Sequence, residues 1–232
     1  MSVEGHPLRV AVAGAHGRMG TVAREALERR GEYCGGLSHT ADPKNRVFAS
    51  LEELWQCDPN VLLDLTTQPG SYEISRAAVE RGVPTVVGAS GWSDEQRASL
   101  ASSATQRNVG VLIVPNFSVG AALMMRFAQE AARFFPDAEI VEVHHPAKKD
   151  KPSGTARETA RGIEAASGKT VAIHSIRLTG SLAHQEVIFG GPGERLTIRH
   201  DSLGRESFVV GMMQAVHAVV HLRGLCVGLE SV

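Results

Sequence analysis

Cysteine is scarce in this chain, and its three thiols, Cys34, Cys57 and Cys226, stand far apart and in no C-x-x-C spacing. An odd, scattered set excludes a disulfide framework, so the thiols read as reduced and mostly buried. An excess of one charge is lacking too: 24 Lys+Arg stand against 25 Asp+Glu, a net charge of −1. That balance offers no basis for a nucleic-acid partner or for binding an acidic membrane surface. No apolar run approaches the ~20 residues of a membrane span. The first residues lack a basic-then-apolar leader, so the expected location is the cytoplasm. Repeats and low-complexity tracts are missing as well. What is left is 232 residues with 43% hydrophobic and 21% charged side chains. That is the composition of a soluble globular protein with one large domain or two small ones.

Glycine, by contrast, is placed where it has consequences. Leu8-Arg9-Val10-Ala11-Val12-Ala13 is a short apolar strand, and Gly14-Ala15-His16-Gly17-Arg18-Met19-Gly20 follows at once. This is a G-x-x-G-x-x-G variant of the dinucleotide fingerprint. Its first glycine allows the tight turn, its second lets the backbone approach a pyrophosphate, and its third lets helix pack on strand. A helix is predicted next, because Met19, Val22, Ala23, Ala26 and Leu27 recur on one helical face. Arg18 stands where its guanidinium could reach a phosphate, whereas His16 reads as a tolerated surface side chain. Taken alone, the glycines also suit a turn in some other α/β protein. The second strand, over residues 33–40, should carry the ribose selector about twenty residues on. It ends in Ser38-His39-Thr40 with no acid, and Lys44 and Arg46 follow. An acidic residue would repel a 2′-phosphate; these residues would donate to it. NADPH should therefore serve at least as well as NADH.

Strand and helix signals alternate through the first half. Strands are predicted over residues 61–66, 84–88 and 111–114. A helix is predicted over 72–81, and another to about residue 107 opens at the capping box Ser93-Asp94-Glu95-Gln96. Short apolar runs separated by helices argue a parallel sheet covered on both faces, with ligands beyond the carboxyl ends of its strands. Gly14, Thr66, Gly88 and Pro115-Asn116-Phe117 then share one rim. After Phe117 the pattern changes. A helix over 120–135 and a strand over 139–143 precede a helix opened by Ser153. Consecutive antiparallel strands are expected over 171–178, 183–189 and 195–200, with a turn at Gly190-Gly191-Pro192-Gly193. A last helix spans 208–222. The fold expected is α/β: a Rossmann-type doubly wound parallel sheet with an inserted α+β domain carrying a mixed or antiparallel sheet. The dinucleotide-binding domain would comprise residues 1–117, completed by the C-terminal helix in 206–232. Residues 118–205 would bind substrate and mediate oligomerisation.

The stretch His144-His145-Pro146-Ala147-Lys148-Lys149-Asp150-Lys151-Pro152-Ser153-Gly154-Thr155-Ala156 carries two imidazoles and three ammonium groups beside a helix start. Ser153 is an N-cap residue type, and the helix dipole at Gly154 and Thr155 favours an anion. A small carboxylate ligand suits this loop, and His144 and Lys148 are groups that can move protons. By itself the loop reads equally as a solvated basic turn. Adjacent histidines at a strand end point to opposite faces, so no metal site is expected.

Together these elements resemble the 4-hydroxy-tetrahydrodipicolinate reductase (dihydrodipicolinate reductase) family. The matching stretches are the loop from Gly14 to Gly20, Gly88-Ala89-Ser90-Gly91-Trp92, Pro115-Asn116-Phe117-Ser118-Val119-Gly120, and His144-His145 through Lys148 to Pro152-Ser153-Gly154-Thr155-Ala156. Their order and spacing agree from about residue 10 to residue 228, and the last element is highly specific to the family. The resemblance implies that His144 donates and accepts the proton and that Lys148 is a second proton donor. It implies that His145, Ser153, Gly154 and Thr155 bind substrate. Cofactor roles fall to Gly14, Ala15, His16, Gly17, Arg18 and Met19, to Gly88, Ala89 and Ser90, and to Val114, Pro115, Asn116 and Phe117, with Ser38 at the ribose. It implies a homotetramer joined through the second domain. The reaction implied is reduction of 4-hydroxy-tetrahydrodipicolinate, a dicarboxylate, to tetrahydrodipicolinate with loss of water by NADPH or NADH, in the lysine and diaminopimelate pathway. Rival readings are another small-acid or imine dehydrogenase on the same scaffold, and a non-catalytic NAD(P)H sensor, against which intact His144 and Lys148 weigh.

Three departures from the family pattern all touch the cofactor. Gly88-Ala89-Ser90-Gly91-Trp92 replaces Gly-Thr-Thr-Gly-Phe, Ser38 or Thr40 stands where many members are acidic, and the stretch from Asp64 to Pro69 carries one extra residue. The expected outcome is a kcat/KM for NADPH at least equal to that for NADH, moved toward NADH by Ser38→Asp. A tenfold preference of the unaltered chain for NADH (about 1.4 kcal/mol) would contradict it.

Overall fold

The structure, a computed structural model, describes residues 8–89 and 91–229. The chain forms two compact units, one of Ser118–Ser207 and the other of the residues before and after it. The first unit begins with β1 (Val10–Ala13), α1 (Arg18–Arg30), β2 (Tyr33–Leu37), β3 (Val47–Phe48) and α2 (Leu51–Trp55). It continues with β4 (Val61–Asp64), α3 (Gly70–Glu80), β5 (Thr85–Val87), α4 (Asp94–Gln106) and β6 (Gly110–Ile113). The second unit holds α5 (Val119–Ala131), β7 (Asp137–His144), α6 (Gly154–Ser167), β8 (Ala172–Arg177), β9 (Ala183–Gly191) and β10 (Glu194–Ser202). The chain returns to the first unit with α7 (Val209–Val219) and β11 (Gly224–Val227).

The first unit is a parallel sheet of seven strands in the order β11-β6-β5-β4-β1-β2-β3. Its central strands are apolar runs buried throughout, as in Val61-Leu62-Leu63 and Val111-Leu112, because helices cover both faces. Each fully buried valine or leucine contributes about 1.5–3 kcal/mol. The order reverses direction between β1 and β4, which is where doubly wound sheets place their ligand crevice. The α4 capping box forms as predicted, with Ser93 and Gln96 exchanging side-chain and backbone bonds. β3, α2 and β11 were not expected. β11 pairs with β6 in parallel register, Gly224 opposite Gly110, so the C-terminal stretch completes the unit with a helix and a strand.

The second unit is a mixed sheet in the order β10-β9-β7-β8. The expectation of three consecutive antiparallel strands is corrected here. β8 runs parallel to β7, with Glu142 opposite Ser175 and His144 opposite Arg177, and β9 lies on the other side of β7. The reason is the intervening α6: a strand–helix–strand crossover returns the chain in the same direction. Gly190 and Gly191 belong to β9, and only Pro192-Gly193 form the turn. The helix side of the sheet is built on Ile140, Val187 and Phe189 packed against Ala128, Ala156, Ala160 and Ile163. Period-two alternation puts Ile140, Glu142 and His144 of β7 on that face, and Glu142 is completely buried.

Gly110 shows how closely the first unit is packed. A Cβ there would lie 2.2 Å from the Val219 carbonyl oxygen at the end of α7. Gly110→Ala should destabilise by about 1–3 kcal/mol, the usual cost of overpacking, and lower the Tm by several degrees. Gly70→Ala, with nothing within 4 Å of its Cβ, should leave the Tm unchanged or raise it. A calorimetric scan of both variants decides the matter.

Candidate active site

In the first unit, β1 hands over to α1 through the glycine loop. Gly14 has φ 80°, and a Cβ on it would come 2.9 Å from the Leu65 carbonyl oxygen beyond β4. Gly20 lies so close to the turn that its Cβ would be 2.0 Å from the Gly14 oxygen. These two contacts press helix and strand ends together at the switch point, as the fingerprint requires. Gly17 is the N-cap of α1, and the first turn of that helix holds no acidic side chain. His16, Gly17 and Arg18 are exposed there and Met19 is half-buried. A helix N-terminus with an open glycine approach and no competing carboxylate fits a pyrophosphate.

The other sequence-predicted cofactor residues divide into two kinds. The Ala15, Ala89, Val114 and Phe117 side chains are buried, so only their backbone could meet a ligand. The Phe117 ring is packed against Gly88, where a Cβ would approach it to 2.7 Å. Pro115 and Asn116 are half-buried beyond β6, Ser38 is half-buried beyond β2, and its backbone N–H donates to the Phe48 carbonyl at 3.0 Å. Ser90 lies outside the described residues. Trp92, which departs from the family pattern, is core: it is buried and meets Tyr72 edge to face at 5.5 Å.

Two acids in this unit were missed. Asp64, fully buried at the end of β4, accepts from the Thr66 N–H and hydroxyl and from the Ser71 hydroxyl at 2.6–2.9 Å. Burial pushes its carboxyl above the usual range, against those hydrogen bonds. It fixes the loop after β4. Asp42 sits in the turn between β2 and β3, with its carboxylate 3.9 Å from His16 Nε2. Hydrogen bonds from the Asn45 side chain and backbone hold it below the usual carboxylate range. It is an acid lying beyond the end of β2, where Ser38-His39-Thr40 carries none.

In the second unit, β7 ends at His144, which is 14% exposed. His144 Nδ1 lies 2.5 Å from Glu142 Oε2. That carboxylate also accepts two parallel bonds from Arg177, Nη1 to Oε2 at 2.9 Å and Nη2 to Oε1 at 3.0 Å. Burial would raise the Glu142 carboxyl, but the bonds from Arg177, Ser175 and His144 outweigh it and hold the group below its ordinary value. An ionised carboxylate can only accept, so His144 donates its Nδ1–H and keeps Nε2 for a ligand. Burial lowers the His144 pKa, Glu142 opposes that, and Lys148 and Arg177 add to it.

The loop after His144 is held by bonds within itself and leads to an open helix start. The Lys148 N–H donates to the His145 carbonyl, and its ammonium meets Asp150 at 2.9 Å. Ser153 caps α6, its hydroxyl accepting from the Ala156 N–H at 3.2 Å, as the sequence predicted. Nothing stands within 4 Å of a Cβ built on Gly154. His144, His145, Lys148, Gly154 and Thr155 are all half-buried near this helix end, while the Ser153 side chain is buried. Glu142 and Arg177, the residues that organise the cluster, were not among the sequence-predicted site residues. No local sequence signal marks Glu142, because its guanidinium partner lies 35 residues on.

Fold and geometry define a class: Rossmann-type proteins with a separate α+β unit that carries an imidazole, an ammonium and an open helix N-terminus. The comparisons narrow it. Residues 8–117 match the family model for dihydrodipicolinate reductase, N-terminus, and residues 120–232 that for dihydrodipicolinate reductase, C-terminus. The chain therefore belongs to the dihydrodipicolinate reductase family. It is 41% identical to a 4-hydroxy-tetrahydrodipicolinate reductase of Listeria monocytogenes serotype 4b, covering 97% of this chain and 99% of that one. A reductase of the same name from Enterococcus faecalis is 38% identical with the same coverage. The dipicolinate-bound dihydrodipicolinate reductase of Paenisporosarcina sp. TG-14 superposes with a TM-score of 0.85 at 34% identity, over 97% of this chain and 99% of that one.

Asp42 yields a test. If its carboxylate faces the adenosine ribose, Asp42→Asn should raise the ratio of NADPH to NADH kcat/KM by roughly threefold or more, the scale of one exposed charge pair. An unchanged ratio would leave Asp42 as the cap of its turn alone.

Proposed function

We propose that this protein reduces 4-hydroxy-tetrahydrodipicolinate to tetrahydrodipicolinate with loss of water, using NADPH or NADH, in lysine and diaminopimelate biosynthesis. The observation that carries the reading is His144, which donates Nδ1–H to Glu142 and sits with Lys148 at the open start of α6. When bound, the reduced nicotinamide supplies the hydride. The backbone of residues 14–19 would hold its pyrophosphate, with Gly88, Ala89, Val114, Pro115, Asn116 and Phe117 along the rim. The reaction consumes one proton as the hydroxyl departs as water. His144 Nε2 and Lys148 Nζ are the two donors on this chain. The substrate's carboxylates take the Gly154 and Thr155 end of α6, where the dipole favours an anion, together with His145 and the lysine side chains. Ser153 contributes by capping the helix that presents those groups.

The same reading makes the protein a cytoplasmic homotetramer joined through the second unit. Val141, Val143 and Ile176 supply apolar surface on the sheet face away from the helices, where Val143 lies opposite Ile176. Among the described residues no helix is long and apolar enough to cross a membrane. Light scattering on the eluted protein checks the assembly.

Kinetics separate chemistry from attraction. His144→Gln and Lys148→Met should lower kcat by about 10²–10⁴-fold, the contribution of a positioned acid. Thr155→Val should act mainly on the KM for substrate. Each variant is first shown to bind NADPH. A KM-only effect in both the His144 and Lys148 variants would remove them from the proton-handling role.

A further inference from the structure

Glu142 does more than neutralise Arg177. Four groups from three segments converge on it: His144 from its own strand, Ser175 and Arg177 from β8, and the Ser153 backbone N–H at the start of α6. Arg177 itself donates to the carbonyls of Lys148 at 3.3 Å and Asp150 at 2.6 Å. One buried ion pair therefore holds the imidazole, the Lys148 and Asp150 carbonyls of the lysine loop and the mouth of the helix. The bonds to Arg177 are bidentate and charge-assisted, the strong and directional kind, and both partners are almost wholly out of water.

We propose that Glu142, clamped by Arg177, is the positioning residue of the site: it holds His144 as the Nδ1–H tautomer with Nε2 directed to substrate, and through Arg177 it sets the Lys148–Asp150 loop against that imidazole. This rests on the reading of His144 as a proton donor. The groups that act on His144 are few. Glu142 comes from its own strand, Arg177 from β8, and Lys148, itself paired with Asp150, from the following loop. On α6, the Arg157 guanidinium donates to the Pro152 carbonyl. Across β9 the partner of His144 is the apolar Ala183. Glu142 is the carboxylate that opposes burial at His144, so its loss leaves Lys148 and Arg177 as the charges acting on the imidazole.

The wild-type protein provides the first test, with histidines labelled by nitrogen-15. His144 should show a protonated Nδ1 and an unprotonated Nε2 in its neutral form, whereas a dominant Nε2–H tautomer would overturn the proposal. Glu142→Gln should then lower the His144 titration by about one pH unit, the effect of removing one close opposite charge. The alkaline limb of the kcat profile should move the same way, because the imidazolium form loses its stabilising partner. kcat should fall at least tenfold while the KM for NADPH is unchanged, and Glu142→Asp should recover part of both effects. An unchanged limb with normal kcat would reduce Glu142 to a structural ion pair. His144→Gln separates the two readings. If that variant turns over normally the proton-donor reading fails, whereas a dead His144→Gln beside a wild-type-like Glu142→Gln sinks only the positioning role. If Glu142→Gln does not fold, the tautomer measurement on the unaltered protein still decides.

Discussion

The second unit depends on a carboxylate that water never reaches. Removing a charged group from water costs several kcal/mol, and only excellent geometry with further hydrogen bonds repays it. Glu142 has both: two bonds from Arg177, one from His144 and one from the Ser153 N–H. Deleting either partner of such a pair leaves an uncompensated buried charge, so the arrangement tolerates little drift. That intolerance fixes His144 and the Ser153 end of α6 relative to one another.

The first unit contains the contrasting case. Asp64 is equally buried at a strand end, but its partners are the neutral hydroxyls of Thr66, Ser71 and Ser75 and one amide. With no cation beside it, burial wins and the carboxyl is pushed up. Glu142, with Arg177 against it, is pushed down. Both carboxylates fix the loop that follows their strand, one at the nucleotide rim and one at the lysine loop. The difference is the cation: Arg177 holds Glu142 down, and that carboxylate lies against the His144 imidazole.

How much was legible in the sequence follows the range of each interaction. The glycine loop, the α4 capping box and the Ser153 cap are local rules, satisfied within a few residues, and they stand where they were read. The residues at the nucleotide rim were legible as positions but not as chemistry. Ala15, Ala89 and Val114 fall in the motif, yet their side chains belong to the core, and only backbone remains for a ligand. Asp42 was passed over because the selector was sought at the end of β2, while the turn to β3 folds it back to His16. Glu142 could not be told from a solvent-facing glutamate in an alternating strand, because its guanidinium partner lies 35 residues on.

By itself, then, the sequence determined the class of the longer segments, the parallel first sheet, the nucleotide turn and the basic loop at a helix start, because strand period, helix period and caps are set by neighbours along the chain, whereas the short β3, α2 and β11 escaped it. Only the tertiary structure decided that β8 lies parallel to β7, that β11 adds to β6, and that Arg177 arrives beside His144 in register. Those outcomes hang on which strand edges meet after the helices pack. Strand pairing is a long-range choice made by burial, and a charge is worth placing inside only once its partner has been brought there.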